Sequence, residues 1–157
     1  MFLGLFIAMV TIIVDQLSKF FVDTRLVIDQ PIEVSQYFNL VKVWNTGISF
    51  SMFNNYGDLG ASILVLVACI VCCGLLYWMY HETSAKKNVC LGLIIGGALG
   101  NVLDRMRYGA VMDFLDFHFE KYHWPAFNIA DTCICIGALI LVYFEMKNNK
   151  KKGLFEL

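Results

Sequence analysis

Residues 88–105 read NVCLGLIIGGALGNVLDR, an uncharged stretch closed by an acidic and a basic residue. On a helix, Gly92, Gly96 and Gly100 fall on one face, where small residues let a second helix approach closely. One further step along that row reaches Asp104, while Gly97 and Asn101 lead to Arg105. The run is short for a membrane span, which needs about 20 apolar residues. Three longer apolar runs surround it. The spacing predicts four transmembrane helices at about 2–22, 59–80, 88–104 and 126–146, in a single membrane domain covering residues 1–157.

Composition agrees. Of the 157 residues, 59% are hydrophobic and 16% charged, against roughly 25% charged in soluble domains. A disordered chain, a disulfide mini-protein and an ordinary soluble enzyme are excluded. A net charge of −1 leaves no basic footprint for nucleic acid.

The connections differ in character. Residues 32–53 (IEVSQYFNLVKVWNTGISFSMF) are rich in β-branched and aromatic residues around an Asn-Thr-Gly turn signal. An outer segment at about 26–53 is therefore expected to form a small antiparallel sheet. Residues 108–127 carry Phe114, Phe117, Phe119, Tyr122, Trp124 and Phe127, an aromatic density suited to the membrane interface and to a lid. Lys86, Lys87, Lys147, Lys150, Lys151 and Lys152 crowd two short segments at one end. Arg25, Lys42, Arg105, Arg107 and Lys121 are spread over the longer connections at the other. The dense end should be cytoplasmic, with both termini, and the long connections should lie outside.

Ionisable residues inside a span are costly and point to function by default. At 1.5 Å per residue, Asp15 lies about 10 Å, and Asp131 about 8 Å, below the outer surface. Asp104, Arg105, Asp113 and Asp116 gather at that same end. Asp15 and Lys19 are an i,i+4 pair, read as a structural lock between spans. Asn128 and Asp131 are i,i+3 neighbours, within hydrogen-bond reach. Asp113 stands between Met112 and Phe114, whereas the alternation Asp116, His118, Glu120 reads as a solvated face. Two carboxyls forced together cannot both ionise, so one keeps a proton. That supplies a base for water and an acid for a carbonyl, the needs of an aspartic hydrolase. Spacing alone leaves a second reading open, in which these residues are interfacial helix caps.

Other classes compete. Six cysteines, Cys69, Cys72, Cys73, Cys90, Cys133 and Cys135, would suit a thiol redox protein, but they fall in apolar runs where thiolates do not form readily. Asp113, Asp116, His118 and His123 could serve a metallopeptidase, yet the histidines lack a helical ligand spacing. A small transporter would place its charges near the midplane.

The chain resembles the lipoprotein signal peptidases, the type II signal peptidases of bacteria. The resemblance rests on Asp15-Gln16-Leu17-Ser18-Lys19, Asn45-Thr46-Gly47 with Phe50, Gly96-Gly97-Ala98-Leu99-Gly100-Asn101 running to Asp104-Arg105, Val111-Met112-Asp113-Phe114, and Phe127-Asn128-Ile129-Ala130-Asp131. It implies an aspartic endopeptidase of the bacterial inner membrane. Such enzymes cut diacylglyceryl-modified prolipoproteins just before the lipidated cysteine. It also implies Asp113 and Asp131 as the catalytic dyad, with the site toward the outer leaflet. Asn45, Gly47, Asn101, Arg105 and Asn128 would bind substrate or support the dyad, and Asp15, Lys19 and Asp104 would be architectural. No metal or other cofactor is expected. The implied partners are the prolipoproteins and membrane lipids, with the enzyme acting as a monomer. After Gly47 the family usually has two small residues, where this chain has Ile48 and Ser49.

Overall fold

A computed structural model describes residues 1–28, 30–47 and 57–155. Ile48, Ser49, Phe50 and the remainder of the expected outer β segment to residue 53 lie outside the described residues. In chain order the elements are α1 (Phe2–Arg25), β1 (Ile32–Ser35), β2 (Phe38–Asn45), α2 (Gly57–His81), α3 (Ala85–Tyr108), β3 (Val111–Phe119), β4 (Tyr122–His123) and α4 (Ile129–Phe155). All four helices are long and apolar enough to cross a membrane.

Helix α3 is the hub, packed against α1, α2 and α4. It runs from Ala85 to Tyr108, longer than the apolar run alone suggests. Long Lys and Arg side chains can stay helical at a span's ends while their heads reach water, so Lys86, Lys87, Arg105 and Arg107 extend it. Gly109 stops it. With φ 69° it occupies the left-handed region, and its N–H bonds the Arg105 carbonyl at 3.0 Å. That is the conformation glycine adopts without a Cβ penalty.

The glycine row fixes the helix spacing. A Cβ on Gly96 would stand 2.6 Å from the Ala8 carbonyl oxygen and 2.7 Å from Thr11 Cβ, and one on Gly92 would strike the Gly4 carbonyl. Gly97 faces the other way, against the Ala130 carbonyl of α4. One helix therefore holds two neighbours at backbone contact. Gly96→Val should push α1 away and cost about 1–3 kcal/mol, the scale of overpacking, as read by thermal unfolding in detergent. Gly74→Ala, where a Cβ meets nothing within 4 Å, should leave the melting curve unmoved. Equal melting of the two variants would contradict the close-packing account.

The four strands form one antiparallel sheet in the order β1-β2-β3-β4. Residues 108–127, which the sequence presents as a lid, supply two of these strands. The β2–β3 ladder runs from Phe38 opposite Phe117 to Asn45 opposite Val111. The same aromatic and β-branched residues that suit an interface also suit a pleated surface. Val22 and Leu26 of α1 bury with Met112 and Phe114 of β3, seating the sheet on one end of the bundle. A second apolar cluster, including Ala8, Met79, Leu91, Ile95 and Leu141, fills the bundle itself.

Candidate active site

Asn128 ends the approach to α4 as its N-cap. Its Oδ1 accepts the Asp131 backbone N–H at 2.9 Å, and Asp131 Oδ2 accepts the Asn128 N–H at 3.3 Å. This is a reciprocal capping box. It explains why α4 begins at Ile129 rather than at residue 126. The sequence paired these two side chains with each other, whereas the structure pairs each with the other's backbone. Asp131 thus stands in the first turn of a helix, where the macrodipole favours negative charge.

The Asn128 amide nitrogen is left to face β3. It donates to Asp113 Oδ1 at 2.7 Å, to the Met112 carbonyl at 3.3 Å and to Asn101 Oδ1 at 3.2 Å. Asn128 itself is fully buried. The second Asp113 oxygen accepts from Asn45 Nδ2 at 3.0 Å. Asn101 Nδ2 donates to Asp131 Oδ1 at 2.8 Å. Asn128 therefore touches both carboxylates, and a separate amide supports each. Asp113 is 3% exposed. Burial, with the nearby Asp131 charge adding to it, pushes its carboxyl up to about 6, against the opposing hydrogen bonds from Asn45 and Asn128.

Beneath this pair lies a buried ionic lock. Lys19 Nζ sits 2.8 Å from Asp15 Oδ2 and 2.8 Å from Asp104 Oδ2. Its third bond, at 3.1 Å, goes to Asn101 Oδ1. An ammonium can only donate, so it fixes which way the Asn101 amide points and turns Nδ2 toward Asp131. Asp15 Oδ1 accepts the Ala130 N–H at 3.0 Å, capping α4 from a neighbouring helix. Asp104 Oδ2 accepts the Met112 N–H at 3.4 Å, tying α3 to β3. Gln16, to which the sequence reading gave no role of its own, donates to Asp104 Oδ1 at 2.8 Å and to the Gly100 carbonyl at 3.3 Å.

Arg105 donates through one terminal nitrogen to the Gly47 carbonyl at 3.0 Å, and Asn45 Oδ1 accepts the Gly47 N–H at 3.0 Å. The Arg105 Nε–H is buried with no partner among the described residues. Beside Arg105, a cavity of about 400 Å³ opens between the sheet-side ends of α2 and α3, lined also by Ala61, Ser62, Val65 and Gly109.

Asp116 requires a correction. It is buried rather than solvated, 6% exposed, because β3 has β2 along one edge and bridges to Phe127 and β4 on the other. Its oxygens accept from Asn39 Nδ2 at 3.2 Å and lie 2.9 Å from His123 Nδ1. His118 stacks on the His123 ring with centroids 4.9 Å apart. Three residues along a strand put Asp113 and Asp116 on opposite faces, so only Asp113 joins Asp131. Among the described residues, no three His, Cys, Asp or Glu side chains gather as metal ligands. The six cysteines are free.

The family model described as signal peptidase (SPase) II matches residues 7–147. The lipoprotein signal peptidase of Anaplasma phagocytophilum is 35% identical over 149 residues, covering 95% of each chain. That of Paraburkholderia phytofirmans is 43% identical over 146 residues, covering 90% of this chain and 83% of the relative. Two solved structures of bacterial membrane enzymes, each 28% identical, superpose with TM-scores of 0.85 and 0.77. They cover 95% and 91% of this chain, and 90% and 91% of their own. The matched residues run from α1 into α4 and include every residue of the network around Asp113 and Asp131, and the chain belongs to the signal peptidase II family.

Proposed function

We propose that this protein is a membrane-embedded aspartic endopeptidase that removes the signal peptide from diacylglyceryl-modified prolipoproteins, cutting just before the lipidated cysteine. The observation that carries the reading is Asn128, whose one side chain bonds Asp113 and caps the turn holding Asp131. Two carboxylates with different surroundings suit one proton between them. The ionised member takes a proton from water as it attacks the scissile carbonyl, and the protonated member donates to the carbonyl oxygen. The pair titrates as a unit. Arg105, whose buried Nε–H has no partner among the described residues, supplies a donor for the substrate backbone or the developing oxyanion. No step calls for a metal, a thiol or a second copy of the chain.

The test is cleavage of a lipidated prolipoprotein by the purified protein, with the new N-terminus identified by mass spectrometry. A product beginning at the lipidated cysteine, at an unchanged rate with chelator or reductant present, is expected. Loss of cleavage with chelator and its recovery with zinc would overturn the aspartic reading.

We also propose that the sheet end faces outward across the bacterial inner membrane, with both termini in the cytoplasm. The lysines at the opposite end support this orientation. A cysteine probe at Lys121 should be labelled from outside and one at Lys86 protected. The reverse pattern would invert the topology.

A further inference from the structure

On the flank formed by α1, α3 and β2, away from the α2–α3 cavity, a second cavity of about 110 Å³ lies at the sheet end of the bundle. Its floor is polar and already satisfied, since Lys19 and Gln16 both bond Asp104 there. Its lip is aromatic, formed by Phe20, Trp44 and Tyr108, with the last two rings 5.0 Å apart. Two charged side chains complete the lining. Asp23 is bound by Lys42 at 2.8 Å. Arg107 is exposed, donates to Gln16 Oε1 at 3.0 Å and forms no ion pair among the described residues.

These groups select an occupant by their chemistry. A bare hydrocarbon chain is disfavoured over a floor of charged groups. A purely anionic ligand would meet the carboxylates of Asp23 and Asp104. A ligand bearing both signs meets neither objection. The Arg107 guanidinium matches a phosphate in a planar, forked geometry. An ammonium group is attracted to the Trp44 and Tyr108 ring faces and to Asp23. Tryptophan and tyrosine mark the depth at which lipid headgroups sit. We propose that this cavity binds the headgroup of a zwitterionic membrane phospholipid, with phosphate on Arg107 and the amine between Asp23 and the aromatic lip. The bound headgroup abuts Lys19 and Asp104, and so rests against the network that orients Asn101.

The experiment uses the full chain, delipidated in detergent. Lipid retention is followed by native mass spectrometry and lipid-dependent melting with phosphatidylethanolamine, phosphatidylglycerol, diacylglycerol and soluble glycerophosphoethanolamine. Phosphatidylethanolamine should be held about tenfold more tightly than phosphatidylglycerol, which lacks the amine, the effect of one charge-assisted contact. Both should be held more tightly than diacylglycerol, which lacks the phosphate as well. Arg107→Gln should reduce the advantage of both phospholipids over diacylglycerol by about tenfold while leaving the lipid-free melting curve unchanged, because Arg107 is exposed. Asp23→Asn should narrow the gap between phosphatidylethanolamine and phosphatidylglycerol. Equal retention of all three lipids would overturn the proposal, as would an advantage of the phospholipids over diacylglycerol that is unchanged in Arg107→Gln. Competition by glycerophosphoethanolamine at the same concentration as the lipid would assign the site to a soluble phosphoester and also overturn it.

Discussion

Lys19→Met should destabilise the protein by about 3–5 kcal/mol, the scale seen when one partner of a buried ion pair is removed. Lys19 is 5% exposed, Asp15 0% and Asp104 3%, so its loss strands two carboxylates with little access to water. The same change removes one of the two donors to Asn101 Oδ1, leaving only Asn128 Nδ2 to hold the amide's direction toward Asp131. Both stability and turnover should therefore fall. Asp15→Asn separates the two effects. It leaves the Lys19–Asp104 pair and the Asn101 contact in place while weakening the cap on Ala130. Its melting temperature should fall by several degrees with most of the turnover of the folded protein kept. Thermal unfolding and cleavage measured on the same samples check both. A Lys19→Met protein that melts like the parent would contradict the lock.

Much of this was legible in the sequence because it is local. The four-residue glycine row, the i,i+4 pair of Asp15 and Lys19, and the i,i+3 pair of Asn128 and Asp131 follow from helix geometry alone. Contacts made by packing were not. Asn45 reaches Asp113 across 68 positions, and Asn101 reaches Asp131 across 30. The β2–β3 ladder sets the first of these meetings, and the close approach of α4 to α3 at Gly97 sets the second. The alternation at Asp116 misled because it takes for granted that one strand face is wet. Here the side chains of Asn39 and His123 cover Asp116, and it is Phe117 and Phe119 beside it that are exposed. Gly109 left a usable signal, a glycine directly after Arg107 and Tyr108 at the end of a helical pattern. It marks the turn from α3 into β3, four residues before Asp113.

The largest effect is expected at the dyad. Asp113→Asn and Asp131→Asn should each remove nearly all turnover, since an amide of the same shape neither takes the proton from water nor delivers one to the carbonyl. Folding should survive. Holding Asp113 ionised in its buried setting costs on the order of 2–3 kcal/mol at neutral pH, from its rise to about 6. The sign follows from that rise. The carboxyl binds its proton more tightly folded than unfolded, so the cost is absent below its unfolded value near 3.8 and complete above about 6. Asp113→Asn removes that cost and should melt no lower than the parent at pH 7.5. Asp116→Asn should keep most activity, because Asp116 pairs with His123 and Asn39 and not with Asp131.

The most direct measurement is the single-turnover cleavage rate of lipidated prolipoprotein by Asp113→Asn, Asp131→Asn and Asp116→Asn, each purified in parallel and shown to melt cooperatively. The dyad predicts a loss of several orders of magnitude in the first two and a near-parental rate in the third. Near-parental cleavage by well-folded Asp113→Asn or Asp131→Asn, or a folded but inactive Asp116→Asn, would contradict it.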